Sequence, residues 1–270
     1  MKATVIVDNI KKDDILGEWG LCVHIEYKGR QFLLDTGSSE LFVENADKLG
    51  VDLKNVDYAV LSHAHYDHAN GMERFFKVND KAVFYLQEDA KENCYKKIWL
   101  FHKYIGIPKG VTEKYRNRIT CVSGKYRICD EVYLLSHTTQ GLEQIGKREN
   151  MYQRKGLHFC PDNFCHEQSL VFDTESGLVI FNSCSHGGVI NIIHEAESAF
   201  PAKKVRAMIG GFHIFKRPEN EIRELAEQIR KTGIEMVYTG HCSGKRGYDI
   251  LREELGDMVH QLQVGLEMEF

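Results

Sequence analysis

The chain lacks the features that mark membrane and secreted proteins. No apolar run approaches the roughly 20 residues that a spanning helix requires, and the amino terminus reaches charged residues too early for the apolar part of a secretory signal. Its eight cysteines are scattered singly through a chain much longer than disulfide-stapled scaffolds. These absences predict a cytoplasmic protein with mostly reduced thiols and no membrane partner.

The chain also lacks a surplus of positive charge. Lys and Arg number 35 against 39 Asp and Glu, which gives a formal net charge of −4. A dedicated nucleic-acid surface normally carries a basic excess, so a nucleic-acid partner is not expected. With 43% hydrophobic residues over 270 positions, the chain can bury one large α/β or sandwich core, or two small ones.

The most informative stretch is LSHAHYDHANG, residues 61–71. Four metal-binding side chains fall within six residues directly after the apolar run 58–61: His63, His65, Asp67 and His68. Burying a polar group without a partner costs on the order of several kcal/mol of free energy, and a bound cation removes that cost. The stretch therefore predicts a metal site at the end of a strand, with a solvated histidine-rich loop as the alternative.

Further candidates stand at the ends of other predicted strands. Asp35 follows the apolar run 32–34 and is suited either to orient a ligand histidine or to cap a turn. Three later strands end in further candidate ligands: Cys184 with His186, His213, and His241. A parallel or mixed α/β sheet gathers such ends at one edge. We therefore expect these residues to join the 61–71 stretch in a binuclear metal site.

Residues 87–160 show the least regular pattern. They include the aromatic and basic run YKKIWLFHKYIGIP, which predicts an amphipathic helix with its aromatic side chains in the core. The alternative is a wall of the substrate pocket, formed by four side chains of this run: Trp99, Phe101, His102 and Tyr104. His137 and His158 are solitary histidines in predicted loops and are expected to be solvated.

Several motifs together resemble one known family. HAHYDH is similar to the HxHxDH signature of the metallo-β-lactamase superfamily. LLDTGSS, VLSHAHYDHANG, HEQSLVF, SCSHGGVINII, MIGGFHIF and GHCSG resemble the subgroup named for the archaeal dihydropterin ribofuranosylaminobenzene 5'-phosphate synthase. The resemblance implies an α/β fold, an αββα sandwich of two mixed β-sheets flanked by helices. It also implies a single domain over residues 1–270, with 87–160 as a pocket-forming insertion.

The resemblance further implies two adjacent metal ions. His63 and His65 would bind the first metal, and the second would be bound by Asp67, His68 and His241. For the remaining ligand of the first metal, His186 is favoured over His166. Three other residues are weaker candidates: Cys184, which stands where relatives carry a bridging aspartate, His213, and Glu167 as a substitute acid. Thiolate and imidazole ligands favour zinc, whereas carboxylate and imidazole also suit iron or manganese.

The predicted function is a metal-dependent hydrolase of a small phosphoester, lactone or related anionic substrate, acting through a hydroxide that two cations activate. Asp67 would orient the attacking water. Four groups are expected to meet the negative charge of the substrate: the side chains of Lys245 and Arg246 and the N–H groups of Gly187 and Gly188. Synthase chemistry like that of the name-giving relative, iron-based redox chemistry and a metal-sensing role stay open. The C-terminal strand 264–270 is expected at a sheet edge, with a homodimer contact as the alternative.

Overall fold

The computed structural model describes residues 1–270, which form three β-sheets and flanking helices. The strands, in chain order, are β1 (Lys2–Val7), β2 (Cys22–Tyr27), β3 (Arg30–Leu34), β4 (Tyr58–Val60), β5 (Val83–Gln87), β6 (Cys94–Ile98), β7 (Phe101–Tyr104), β8 (Ile119–Val122), β9 (Lys125–Cys129), β10 (Val132–Ser136), β11 (Met151–Lys155), β12 (His158–Pro161), β13 (Gln168–Thr174), β14 (Gly177–Phe181), β15 (Val205–Gly210), β16 (Met236–Thr239), β17 (Val259–Gln261) and β18 (Glu267–Glu269). The α-helices are α1 (Leu41–Lys48), α2 (Tyr66–Ala69), α3 (Met72–Val78), α4 (Val111–Lys114), α5 (Leu142–Arg148), α6 (Val189–Ala199), α7 (Glu219–Thr232) and α8 (Gly244–Leu255).

The two large sheets have the same internal plan. The first has the order β18-β1-β2-β3-β4-β5-β8 and the second the order β17-β16-β15-β14-β13-β10-β9. In the first sheet, β18, β1, β2 and β3 are antiparallel to one another in order. In the second sheet, β9, β10, β13 and β14 are likewise antiparallel. The other half, β3-β4-β5-β8 or β14-β15-β16-β17, is parallel. The carboxyl ends of the parallel strands therefore lie at one edge of each sheet.

The buried apolar residues form three layers, as an αββα sandwich requires. The middle layer lies between the two sheets, where Phe172 of the second sheet packs edge-on against Phe32 of the first at a centroid distance of 5.2 Å. One outer layer joins the first sheet to α1 and α3, and the other joins the second sheet to α6, α7 and α8. The predicted αββα fold is confirmed.

The early hairpin has a short local signal in the sequence. β2 and β3 are joined by Lys28 and Gly29, whose φ angles are +47° and +74°. Two positive φ angles are what a tight hairpin turn of this hand needs. The C-terminal strand β18 pairs with β1 at the edge of the first sheet, as expected.

The helix predicted for the aromatic run of residues 95–108 is wrong. This run forms the hairpin β6-β7, which pairs with β11 and β12 in a third sheet of order β12-β11-β6-β7. Side chains alternate between two faces, and Tyr95, Tyr104 and Phe159 pack together on the outer one. The polar stretch 138–156 supplies α5 and β11 to the same layer.

The proposed pocket lining from this run is only partly found where it was expected. Trp99 and Phe101 lie at the hairpin tip with 90% and 78% of their surface exposed. His102 stacks on Phe159 at 3.8 Å, on the outer face.

No helix in the structure combines the length and the apolar character needed to cross a membrane.

Candidate metal centre

The stretch 61–71 leaves the first sheet at the end of β4. Its backbone turns directly into the short helix α2, which begins at Tyr66. Because the four polar side chains lie in this turn and first helical positions, they project together over the carboxyl edge of the sheet. All four are at least 93% buried: His63, His65, Asp67 and His68.

Three histidines form a first ligand set, which we call the imidazole set: His63, His65 and His186. One nitrogen of each lies within 4.8 Å of the other two. The Nδ1 of His63 contacts Ser62 Oγ at 2.9 Å, which leaves its Nε2 buried without a partner. Both ring nitrogens of His186 are also buried without partners. Buried ring nitrogens without hydrogen-bond partners cost free energy. Three that converge suit a cation with nitrogen ligands at about 2.0–2.1 Å.

Three further residues form a second ligand set, which we call the mixed set: Asp67, His68 and His241. Asp67 Oδ2 lies 3.7 Å from His68 Nε2 and 3.5 Å from His241 Nε2. Burial by itself would raise the pKa of Asp67, but the two imidazoles hold it well below its usual range. A carboxylate and two imidazoles at this spacing fit the donor set of a second divalent cation.

Cys184 lies between the two sets. Its Sγ is 3.4 Å from His68 Nε2 and 3.4 Å from Cys242 Sγ. It also falls within 4.8 Å of ring nitrogens of His186 and His213. A thiol in this place reaches both candidate metal positions.

Asp35 orients the mixed set. It follows β3, and its Oδ2 lies 2.8 Å from His68 Nδ1, which directs His68 Nε2 toward Asp67. The Asp35 carboxylate also accepts hydrogen bonds from the Ser62 backbone and hydroxyl, both at 2.7 Å, and from the Ser183 hydroxyl. Of the two roles predicted for Asp35, the structure shows the orienting one.

Asp162 has a similar place beside the imidazole set. Its Oδ2 faces His65 Nε2 at 3.9 Å and accepts a hydrogen bond from His166 Nε2 at 3.1 Å. The Ala64 N–H donates to His166 Nδ1 at 3.1 Å, so both nitrogens of His166 are occupied. His166 is thus positioned by contacts within the protein, whereas both ring nitrogens of His186 are free of partners.

A buried ionic triad supports the loop that carries His186. Glu167 accepts hydrogen bonds from the backbone N–H groups of His186 (2.8 Å) and Gly187 (2.7 Å). His137 lies 3.0 Å from both Glu167 and Glu195. Burial would lower the pKa of His137, but the two carboxylates raise it to about 9. The expectation that His137 is solvated is wrong, because its side chain is 3% exposed and fully paired.

Backbone strain collects at the centre. Four non-glycine residues around the two sets adopt positive φ angles: Asp35 (+59°), Ser185 (+55°), His213 (+49°) and His241 (+44°). Such conformations cost on the order of 1–3 kcal/mol each and persist only where surrounding contacts enforce them. The strands thus end in turns shaped by the site rather than by local preference.

A cavity of about 170 Å³ opens onto both ligand sets. Residues of the sets that line it are His65, Asp67 and His186, together with Cys184. Trp19 forms one wall, and its Nε1 donates to Asp67 Oδ2 at 2.9 Å. A larger cavity of about 550 Å³ beside α6 contains none of the ligand side chains, so the smaller one is where chemistry at the centre would occur.

The structure does not bring the four predicted substrate-binding groups into this cavity. Lys245 pairs with Asp249 on the surface, at 2.7 Å, and Arg246 donates to the Arg217 carbonyl. The Gly187 N–H is taken by Glu167, and the Gly188 N–H donates to the Ser185 carbonyl at 2.9 Å. All four groups have partners within the protein, and their contact with the substrate stays a prediction.

His213 faces the cavity beside the imidazole set. Its ring lies 4.6 Å from that of His186, and neither of its nitrogens has a hydrogen-bond partner. Its Nε2 faces Glu149 at 3.9 Å. It therefore adjoins the imidazole set without completing it.

Sequence reasoning missed Asp162, Trp19 and the His137 triad. Asp162 stands four residues before His166, a spacing that could have indicated a carboxylate–histidine pair. Trp19 and Glu195 carry no local signal, because their partners Asp67 and His137 are 48 and 58 residues away.

The comparisons with known proteins agree with this geometry. A family model described as the metallo-β-lactamase superfamily matches residues 20–128, which include His63, His65, Asp67 and His68. The crystal structure of Tm1679, a metal-dependent hydrolase of the β-lactamase superfamily, covers 100% of this chain and 99% of its own, with 27% identity and a TM-score of 0.85. Residues 20–128 match this superfamily, and the whole chain has the fold of Tm1679.

Two further proteins are similar to this chain. The 7,8-dihydropterin-6-methyl-4-(β-D-ribofuranosyl)-aminobenzene-5'-phosphate synthase of Methanocaldococcus jannaschii is 24% identical over 92% of this chain and 88% of its own length. A diphosphatase from the PhnP family covers 100% of this chain and 97% of its own, with 14% identity and a TM-score of 0.58, a likeness of fold alone.

Proposed function

We propose that this protein is a metal-dependent hydrolase of a small phosphoester, lactone or related substrate, working at a binuclear site. The observation that carries the proposal is the pair of ligand sets, side by side at the base of one cavity and joined by Cys184. Two divalent cations held there, zinc first and iron or manganese as alternatives, would supply Lewis-acid activation of water and of the substrate oxygen.

The residues around the cavity divide the remaining work. Asp67 Oδ2 accepts a hydrogen bond from the Trp19 N–H, which fixes the carboxylate plane and leaves Oδ1 to accept a hydrogen bond that orients the attacking water. His213 lines the cavity with both ring nitrogens free of protein partners, so it is placed to donate a proton to the leaving group. Trp19 and Phe215 exclude water from one side of the cavity.

The third sheet supplies the opposite wall. Residues of β6, β7 and β11 line the cavity across from the ligand sets, which supports a pocket-forming role for part of the segment 87–160. The substrate would therefore lie between the third sheet and the edge of the two large sheets that carries the ligand sets.

The test is hydrolysis by protein reconstituted separately with zinc and manganese. The substrates are 4-nitrophenyl phosphate, bis(4-nitrophenyl) phosphate and a simple lactone. We expect turnover of at least one class that depends on added metal and disappears in Asp67→Ala. Turnover that is unchanged in Asp67→Ala, or absent with every metal and substrate, would count against the hydrolase.

A second candidate is transfer of the kind the M. jannaschii synthase catalyses, supported by likeness over nearly the whole chain. A pterin analogue should then quench Trp19, which lines the cavity, rather than Trp99, which is 90% exposed at the hairpin tip. The comparison uses Trp99→Phe, which removes the distal fluorophore. Saturable quenching in this variant supports the transferase, and none argues against it.

A further inference from the structure

Two lysines of the third sheet face the metal centre without any counter-charge. Lys96 on β6 and Lys103 on β7 are directly opposite each other in the antiparallel register. Both line the 170 Å³ cavity that contains His65, Asp67 and His186. Neither makes a salt bridge or a side-chain hydrogen bond within the protein.

This arrangement is unfavourable unless an anion is present. Directly opposite residues of an antiparallel pair have Cβ atoms about 4.5–5.5 Å apart, and like charges there destabilise the sheet. Lys103 is exposed to water, but Lys96 is only partly exposed, so water screens the charge of Lys96 incompletely. Its burial and the nearby Lys216 lower the pKa of Lys96, which shows that the position costs energy to keep charged.

The carboxylates nearby do not serve as partners. Asp67 is the only acidic residue that lines the cavity, and the mixed set and Trp19 already occupy it. Glu149, which lies close enough to act on Lys96, pairs with Arg148 at 3.4 Å. The neighbouring Lys97 points to the outer face opposite His102 and is exposed, so the face toward the centre is the one that carries the unmatched pair.

The space beside Lys103 is large enough for more than the reacting group. A second cavity, of about 300 Å³, shares Tyr66, Lys103 and Ile105 with the first. The two cavities thus adjoin along one line that runs from the ligand sets past Lys103.

We infer that Lys96 and Lys103 form a subsite for a second anionic group of the substrate. Resting on the proposed function, this narrows the substrate class to phosphoesters that carry a further carboxylate or phosphate at a distance from the reacting phosphate. The reacting phosphate lies at the ligand sets and the second anion between the two lysines. The subsite therefore determines specificity and is not part of the bond-breaking machinery.

The experiment uses ligands that cannot be hydrolysed, so binding is measured apart from catalysis. The probes are 3- and 4-carboxybenzylphosphonate, each compared with its carbamoyl analogue, which has nearly the same shape and no second charge. Dissociation constants are measured by titration calorimetry on the zinc-loaded protein. We expect the tighter-binding of the two carboxylates to bind about tenfold more tightly than its amide. This factor corresponds to the lower end of the free energy of a hydrogen bond to a charged group.

The variants locate the effect. Lys96→Gln and Lys103→Gln should each reduce the preference for the acid, and the double variant should remove it. Lys97→Gln is the matched control, because it removes a lysine from the same strand on the opposite face and should leave the preference intact. Binding of the amides should be equal in the wild type and in all four variants.

Two results would overturn the subsite: no acid binds better than its amide in the wild type, or the preference survives in the double variant. The proposed function is tested separately by turnover of 4-carboxyphenyl phosphate. A preference that the double variant loses, together with no turnover of any phosphoester, would contradict the hydrolase and support the subsite.

Discussion

The two ligand sets differ in charge and in how the protein supports them. The imidazole set contains only neutral donors, and its members are held by Asp162 and by the ionic triad behind the His186 loop. The mixed set carries the negative charge of Asp67 and is held by Asp35 from the neighbouring strand end. The imidazole set therefore depends on preorganised geometry, while the mixed set attracts a cation through charge as well.

The difference also follows from topology. His63, His65, Asp67 and His68 leave a single strand end of the first sheet, so both sets share one rigid base. Each set is completed by one histidine of the second sheet, His186 after β14 or His241 after β16. Each ligand set therefore contains residues of both sheets, and its geometry depends on how the sheets pack.

The largest effect should come from removing a ligand of the imidazole set. His65→Ala is expected to lower turnover on the order of a thousandfold or more, because the Lewis acid supplies several kcal/mol of the stabilisation. His194→Ala is the control, since that histidine lies exposed on α6. Full activity in His65→Ala would remove the imidazole set from the mechanism.

The support of the His186 loop should appear as a pH-dependent stability. The folded pKa of His137 is raised to about 9 from an unfolded value of about 6.5. Its stabilising contribution is therefore complete below pH 6.5 and is lost as the pH rises through 9. On the acid side, the lowered pKa values of Glu167 and Glu195 mean that their contribution is lost as the pH falls below their unfolded values.

His137→Gln should accordingly destabilise metal-free protein by about 3 kcal/mol at pH 6, and by much less above pH 9. Urea unfolding of both proteins at the two pH values measures the difference. No such triad supports the mixed set, so this pH-dependent loss of stability would distinguish the support of the two sets. A loss of stability that is the same at both pH values would show that the ion pairs are not its source.

The orienting carboxylates should act on one set each. Asp162→Asn is expected to weaken metal binding at the imidazole set by roughly 10- to 100-fold, and Asp35→Asn to do the same at the mixed set. Competitive titration with a chelator gives the two affinities separately. If each variant weakened both metals equally, the two sets would behave as one unit and the comparison would fail.

The smallest effect should be a change of metal preference at the shared position. Cys184→Asp replaces a soft thiol by a hard carboxylate, so the ratio of zinc to manganese affinity should fall, by about tenfold. Cys129→Asp is a control at a partly exposed cysteine away from the centre. An unchanged ratio would make Cys184 a packing residue.

The sequence predicted best what depends on local spacing. The residues of HAHYDH share one turn, and strand-end histidines such as His186 converge because parallel strands present their carboxyl ends at one edge. The αββα layers follow from the same alternation of strands and helices.

The sequence predicted poorly what depends on register or on distant packing. The residues 95–104 carry aromatics and lysines at spacings that fit a helix, and it is the antiparallel register of β6 and β7 that places Lys96 opposite Lys103. His137 looked like a solvated residue because its partners, Glu167 and Glu195, are 30 and 58 residues away. Lys245 and Arg246 looked suited to an anion, but their side chains turn to partners outside the cavity.

The most direct test of two separate ligand sets is the number of metal ions per chain. Elemental analysis would compare the wild type with His186→Ala and His241→Ala, each purified without chelator and reconstituted with zinc. We predict about two metals per chain in the wild type and about one in each variant, lost from a different set in each case. One metal in the wild type, or two retained in either variant, would contradict the account.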